Sequence, residues 1–211
     1  MLSNDVIAQY IFGSNSLDGI TLSLAQTRDI IDRDPDPDSD EEVTAPDGKV
    51  YEPPIVTGHR KALFTVLDIA TNHDPVNKQT IRDLHDQMMG DLLLSAGDFR
   101  ECTLRIKGLL IPSPPESLET RMDALVNLIT VGWDKARNKD QLAWRVHHEF
   151  FTIHPFIEGN GRMARLLLNL IRYKAGLGLA MLGPNDRERY SRAIIEFQKQ
   201  KIERARARTD D

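Results

Sequence analysis

The chain has 211 residues, enough to bury a substantial core and few enough that one domain, 1–211, is the expectation. Its hydrophobic fraction of 40% and charged fraction of 28% are those of a folded chain, not a disordered one. A net charge of −5 argues against a nucleic-acid partner, no apolar run is long enough to span a bilayer, and the lone Cys102 excludes an intrachain disulfide. The N-terminus lacks the basic start and apolar core of a signal peptide, so a cytoplasmic location is expected.

Val6, Ile7, Tyr10 and Ile11 form the first helical stripe. Ser14 is expected to cap a short second helix that Gly19 ends. Ser23 and Gln26 match a capping box for a helix through Ile30 and Ile31. Residues 32–54 then change character. Charge repulsion and proline geometry in Asp34-Pro35-Asp36-Pro37-Asp38 oppose a packed helix, which predicts an exposed acidic loop. Its carboxylates could hold a divalent metal, but a solvated linker accounts for them more simply.

Helical patterning resumes from Gly58 to Ile69 through Leu63, Phe64 and Leu67. Thr80 is the expected cap of the next helix, where Ile81, Leu84, Met88 and Leu92 recur. His85 lies among these positions and reads as a structural histidine. Between Gly97 and Ile111, Phe99, Cys102, Leu104 and Ile106 do not fit a helix and Gly108 interrupts them, so a short β-hairpin is expected. Ser113-Pro114-Pro115-Glu116 predicts a helix start, followed by Leu118, Met122, Leu125 and Ile129. Leu142, Val146 and Phe150 make another stripe. The last helix is expected near Asn185-Asp186, with Glu188 as a capping group and Tyr190, Ile194 and Phe197 on its apolar side. Lys199, Lys201, Arg204, Arg206 and Arg208 then read as a solvated helix end. The expected fold class is all-α, an orthogonal helical bundle with a small β-hairpin.

The chemistry concentrates in His154-Pro155-Phe156-Ile157-Glu158-Gly159-Asn160-Gly161-Arg162-Met163-Ala164-Arg165. Pro155 stops one helix, Gly159-Asn160-Gly161 permits a tight turn, and a new helix begins near Arg162. Met163, Leu166, Leu167, Leu170 and Ile171 form its apolar side, and Arg162, Arg165, Asn169 and Arg172 a separate polar one. Two arginines at a helix N-terminus are unfavourable unless an anion joins them, so the turn could cradle phosphates. The competing reading leaves the arginines in water or on structural carboxylates. Glu158 with phosphate oxygens would suit Mg²⁺, and His154 could accept a proton from an attacking hydroxyl. His147 and His148 have no comparable acid or cradle. Residue chemistry alone does not choose between attack on the α- and the γ-phosphate.

These residues resemble the Fic-family signature His-Pro-Phe-x-(Asp/Glu)-Gly-Asn-Gly-Arg-x-x-Arg at every specified position. The resemblance extends back through His148-Glu149-Phe150-Phe151-Thr152-Ile153 and forward into Leu166-Leu167-Leu168-Asn169. It implies a Fic-type helical bundle and a protein AMP-transferase that uses ATP and Mg²⁺ to modify a Ser, Thr or Tyr hydroxyl of a target protein. It further implies His154 as general base and Glu158 as metal ligand. Gly159, Asn160, Gly161 and Arg162 would lie on phosphates, and Arg165 on the distal phosphate. The intact Gly159-Asn160-Gly161-Arg162 turn differs from that of the related Doc-type kinases. Thr103 to Ile111, including Leu104, Arg105, Ile106, Lys107 and Gly108, corresponds to the family's target-positioning flap, whose edge a peptide could extend. Ser14-Asn15-Ser16-Leu17-Asp18-Gly19 resembles the family's N-terminal inhibitory motif, with Asp18 in place of glutamate. Asp18 would divert Arg165 from ATP; its shorter side chain leads to an expectation of weaker reach, unless backbone adjustment removes the difference. Removal of AMP, another phosphate donor and a non-catalytic nucleotide- or peptide-binding module remain as alternatives. A homodimer is compatible with the helical faces.

Overall fold

The structure, a computed structural model, describes residues 2–106 and 112–207. Among these the fold is all-α, with eight α-helices and one two-stranded hairpin. Helix α1 (Asn4–Leu17) is capped by Ser3, whose hydroxyl accepts the Val6 N–H at 3.4 Å. It runs through Ser14 without a break, which corrects the expected second helix over 14–19. Ser14 does not cap because its hydroxyl accepts a hydrogen bond from Arg165. The helix stops where Asp18 N–H turns back to the Asn15 carbonyl and Gly19 takes φ +88°. Helix α2 (Leu24–Arg33) has the reciprocal Ser23–Gln26 capping box read from the sequence.

The acidic segment contains the hairpin, strands β1 (Val43–Thr44) and β2 (Val50–Tyr51), with Val43 opposite Tyr51. It is tied to the bundle by Tyr51, whose hydroxyl accepts the Thr21 N–H, and by Gln26, which donates to the Thr44 carbonyl. Glu41 pairs with Arg33 and Asp34 with Arg60. The hairpin of the described residues thus lies in the acidic segment. Residues 103–106 carry no strand, while Lys107, Gly108 and the rest of 107–111 lie outside the described residues.

Helix α3 (Pro54–Asn72) begins before Gly58, because Pro54 occupies its first turn. The cap of α4 (Lys78–Met89) is Asn77, not Thr80. Thr80 is the third helical residue, and its hydroxyl accepts the Asn77 N–H. Ser113 does not cap α5 (Leu118–Lys135). Its carbonyl is held by Arg100, and a 3₁₀ turn at Pro115–Ser117 precedes the helix. Asn138 caps α6 (Lys139–Ile153). Before α8 (Arg187–Ala207), Asp186 closes a 3₁₀ turn over Pro184–Asp186 by accepting the Gly183 N–H, while Glu188, read as a capping group, pairs with Arg192.

Helix α7 (Asn160–Lys174) is the centre of the bundle, packed against α1, α3 and α6. Every residue from Arg162 to Ile171 is buried, so the expected polar side is internal rather than a surface face. None of the described helices is long and apolar enough to cross a membrane.

Leu167 is fully buried in this central helix. We expect Leu167→Ala to destabilise the fold by about 2–5 kcal/mol. A denaturant midpoint within error of wild type, at an unchanged slope, would contradict a central packing role.

Candidate active site

The turn between α6 and α7 is fixed from below. His154 ends α6 in the left-handed region at φ +52°, and its N–H still reaches the Phe150 carbonyl at 2.9 Å. Phe156 is fully buried and stacks on His85, with ring centroids 3.7 Å apart. His85 Nδ1 accepts the Gly97 N–H, which leaves Nε2–H to donate to the Glu158 carbonyl at 3.0 Å. His85 is thus the structural histidine that its setting suggested. Asn160 spans the loop with both side-chain atoms, accepting the Phe156 N–H and donating to the Phe156 carbonyl. What Asn160 offers a ligand is its backbone N–H.

A cradle follows at the N-terminus of α7. The first helical bond runs from Met163 N–H to Gly159 carbonyl, so the N–H groups of 160–162 lie ahead of the ladder. Gly159 has φ +74°, and a Cβ there would sit 3.0 Å from Met88 Cε. Arg162 is only 3% exposed, yet its Nε and Nη1 have no hydrogen-bond partner. Burial pushes its pKa down. Buried donors left unpaired are costly, and an incoming anion would satisfy them.

Arg165 is 1% exposed and fully engaged. Its Nε donates to Ser14 Oγ at 2.7 Å, its Nη2 to the Ser14 carbonyl and to Asp18 Oδ2 at 2.8 Å, and its Nη1 to Tyr190 Oη at 3.1 Å. Burial lowers its pKa, but Asp18 and Tyr190 outweigh that and raise it. Tyr190 Oη in turn shares a hydrogen bond with His147 Nε2 at 2.8 Å. The structure therefore brings Ser14, Asp18 and Arg165 together. The expectation of weak reach for Asp18 is not met: α1 lies close enough for the shorter side chain to close the pair. A Cβ at Gly161 would come within 2.5 Å of Asp18 Oδ1, so this carboxylate sits directly over the start of α7.

Asp18 bears electrostatically on His154 as it does on Arg162 and Arg165. Burial, partly offset by the Phe151 carbonyl, pushes the His154 pKa down to about 4. Nδ1 lies 3.3 Å from that carbonyl, so Nδ1 carries the proton and Nε2 keeps an open lone pair. Glu158 is exposed at the rim. Among the described residues no three His, Cys, Asp or Glu side chains gather as a metal site. A single carboxylate still fits Mg²⁺, which takes one or two carboxylates plus substrate phosphates.

The sequence profile of the Fic/DOC family matches residues 75–171, which include the whole turn and cradle. Residues 75–171 carry a Fic domain. A protein adenylyltransferase Fic of Nematostella vectensis is 28% identical over 184 residues, covering 86% of this chain and 41% of that protein. The chain thus spans about two fifths of the length of this relative. A Fic-domain signalling protein of Bacteroides thetaiotaomicron superimposes with a TM-score of 0.77 at 22% identity, over 90% of this chain and 71% of that one. Fic-1 of Caenorhabditis elegans superimposes with a TM-score of 0.74 at 23% identity, over 98% of this chain and 64% of that one. At these identities the superpositions speak for the fold.

Three contributors to the Fic site escaped the sequence reading. Tyr190 was placed on an apolar helix side, yet its hydroxyl anchors Arg165. His59, buried on α3, bonds Asn15 of α1 at 3.1 Å and lies near both arginines. Arg100 holds the backbone of the His154 turn. None lies in a local motif; each acts only through tertiary placement.

Burial lowers the pKa of His59, His85, His147, His148 and His154 together. These rings are neutral in the fold but gain protons below pH ~6.5 once unfolded. From pH ~6.5 down to about 4, the unfolded chain then holds more protons, so stability falls as the pH falls. We expect thermal unfolding at pH 5 to begin well below that at pH 7.5. An equal or higher midpoint at pH 5 would refute the neutral-histidine account.

Proposed function

We propose that this chain transfers AMP from ATP to a Ser, Thr or Tyr hydroxyl of a target protein and releases pyrophosphate. One observation carries the reading: a buried Arg162 with unpaired donors adjoins free helix N–H groups and an imidazole with an open Nε2. Polyphosphate would satisfy the first two groups, and a hydroxyl proton the third. The adenylyltransferase name of relatives with matching sequence supports AMP as the transferred group.

In this reading the α7 N–H groups and Arg162 hold the phosphates so that the α-phosphorus faces the acceptor. The hydroxyl oxygen forms a new bond to that phosphorus, and the bond to the bridging oxygen of pyrophosphate breaks. The hydroxyl proton passes to His154 Nε2, while Nδ1–H stays on the Phe151 carbonyl and keeps the ring oriented. Arg162 stabilises negative charge that grows on the phosphates. Glu158 would hold Mg²⁺ with phosphate oxygens, and that ion would supply further charge neutralisation. Segment 103–111 would present the target hydroxyl.

Asp18 regulates this site on the same proposal. It pairs with Arg165 and occupies the space above Gly161, so productive phosphate binding must displace it. Asp18→Gly should therefore increase AMP transfer, and His154→Ala in that background should reduce it by ~10²–10⁴-fold. Intact mass after incubation with ATP and Mg²⁺, with labelled ATP and cell lysate as the source of targets, reads both effects. Equal labelling by wild type and Asp18→Gly would remove the inhibitory role. Equal labelling with and without His154 would remove the base, and a gain of one phosphoryl group would replace AMP transfer with kinase chemistry.

Asp18→Ala also strands Arg165 without its carboxylate. We expect a loss of about 1–3 kcal/mol of stability in the free protein. Added ATP should raise the melting temperature of this variant more than that of wild type. Equal shifts would show that Asp18 and phosphate do not compete.

A further inference from the structure

Arg100 lies outside the family signature and touches none of the phosphate cradle, yet it is 3% exposed. Among the described residues no carboxylate pairs with it. A buried guanidinium normally requires such a partner, and burial pushes its pKa down. Instead, its three nitrogens each donate to backbone carbonyls. Nε donates to His154 carbonyl at 2.7 Å, Nη1 to Cys102 carbonyl at 2.5 Å, and Nη2 to the carbonyls of Ser113 and, at 3.4 Å, Ile153. The Arg100 backbone N–H adds a bond to the Pro155 carbonyl at 2.8 Å.

These acceptors fall into two groups. Ile153, His154 and Pro155 are consecutive at the C-terminal end of α6, where orphan carbonyls and the helix dipole favour a cation. His154 holds φ +52° there, a conformation that costs a non-glycine residue of order 1 kcal/mol or more and needs outside support. Cys102 and Ser113 are the other group. They flank segment 103–111, one before it and one after. A single side chain thus grips both feet of that segment and the turn that carries the imidazole.

We propose that Arg100 is a positioning residue that holds the His154 turn and orients its ring, by tying that turn to the Cys102 and Ser113 backbone. The proposal rests on the AMP-transfer reading for its catalytic consequence, but not for the clamp itself. Arg100 supports the left-handed His154 backbone and so aims Nε2. Its charge also opposes protonation of the ring, against Asp18, which favours it; these are the two charged groups that bear on His154, beside the Phe151 carbonyl. Lysine can reach one or two of the carbonyls but cannot bridge both groups, because its ammonium is a point and not a fork.

The test uses the full chain in the Asp18→Gly background, alone and with Arg100→Lys or Arg100→Met. Pyrophosphate release from ATP and Mg²⁺ gives kcat and KM for ATP, with water or the enzyme's own hydroxyls as acceptor. The expected result is at least a tenfold fall in kcat for Arg100→Met, KM for ATP within twofold of the parent, and partial recovery with Arg100→Lys. Unchanged kcat, or a rise in KM alone, overturns the proposal. If the Asp18→Gly parent neither releases pyrophosphate nor labels any lysate protein, the AMP-transfer reading fails instead. The clamp is then decided by NMR titration of the His154 ring, which should protonate at higher pH in Arg100→Met than in the Arg100 protein. A superimposable titration overturns it. Should Arg100→Met fail to fold, as thermal melting would show, the same two readouts on Arg100→Lys apply, with intermediate values expected and parental values decisive against the clamp.

Discussion

Arg165 places a guanidinium in the interior of a helical bundle, and the arrangement around it depends on keeping that charge compensated. The cost of withdrawing such a group from water is several kcal/mol, more than any one neutral hydrogen bond returns. Ser14 and Tyr190 satisfy donors but carry no negative charge. Only Asp18 does, and it arrives from 147 residues away in sequence. The position of α1 against α7 is therefore an electrostatic requirement as well as a packing outcome. The single helix through Ser14 follows from it: the hydroxyl that could have capped a new helix is used to hold Arg165.

The same requirement accounts for the difference between the two arginines. Arg165 is saturated, whereas Arg162 is buried with two donors unpaired and lies 3.8 Å from the Asp18 carboxylate at its nearest. Asp18 is within hydrogen-bond distance of Arg165 but not of Arg162. The site would thus accept more negative charge than Asp18 supplies. On the proposed reading ATP brings it, since a triphosphate carries enough oxygens for both guanidinium groups and for the N–H groups ahead of Met163.

What could be read from the sequence follows the range of the interactions. The turn from His154 to Arg165 was legible because its parts are adjacent: a proline break, a glycine turn and a helix start operate within twelve residues. Phe156 packs inward beneath that turn. The Asp18–Arg165 pair was accessible only through resemblance, because no local rule links residues so far apart. Arg100 and Tyr190 gave no signal, since a lone arginine in an irregular stretch and a tyrosine on an apolar stripe each have many ordinary placements. Caps failed differently. Asn77 and Thr80 both belong to one capping box, and choosing its third member moved the helix start by three residues. The hairpin had a usable turn signal, Pro46-Asp47-Gly48 between Val43-Thr44 and Val50-Tyr51, that the surrounding acidity obscured.

The proposed control can be bounded by the physics of this pair. A hydrogen bond between charged groups contributes about 1.5–3 kcal/mol, and the Asp18 side chain is 27% exposed, which favours the lower part of that range. Displacing it would weaken the apparent affinity of a phosphate ligand by roughly 10-fold, and by somewhat over 100-fold at the upper end. That is a brake which millimolar nucleotide could partly overcome, not a lock. Substituting aspartate for glutamate need not weaken it further, because the distance closes through the approach of α1. The strength of inhibition is then carried by helix placement, through Ser14 on Arg165 and Asn15 on His59, and the carboxylate supplies charge at a position those contacts determine.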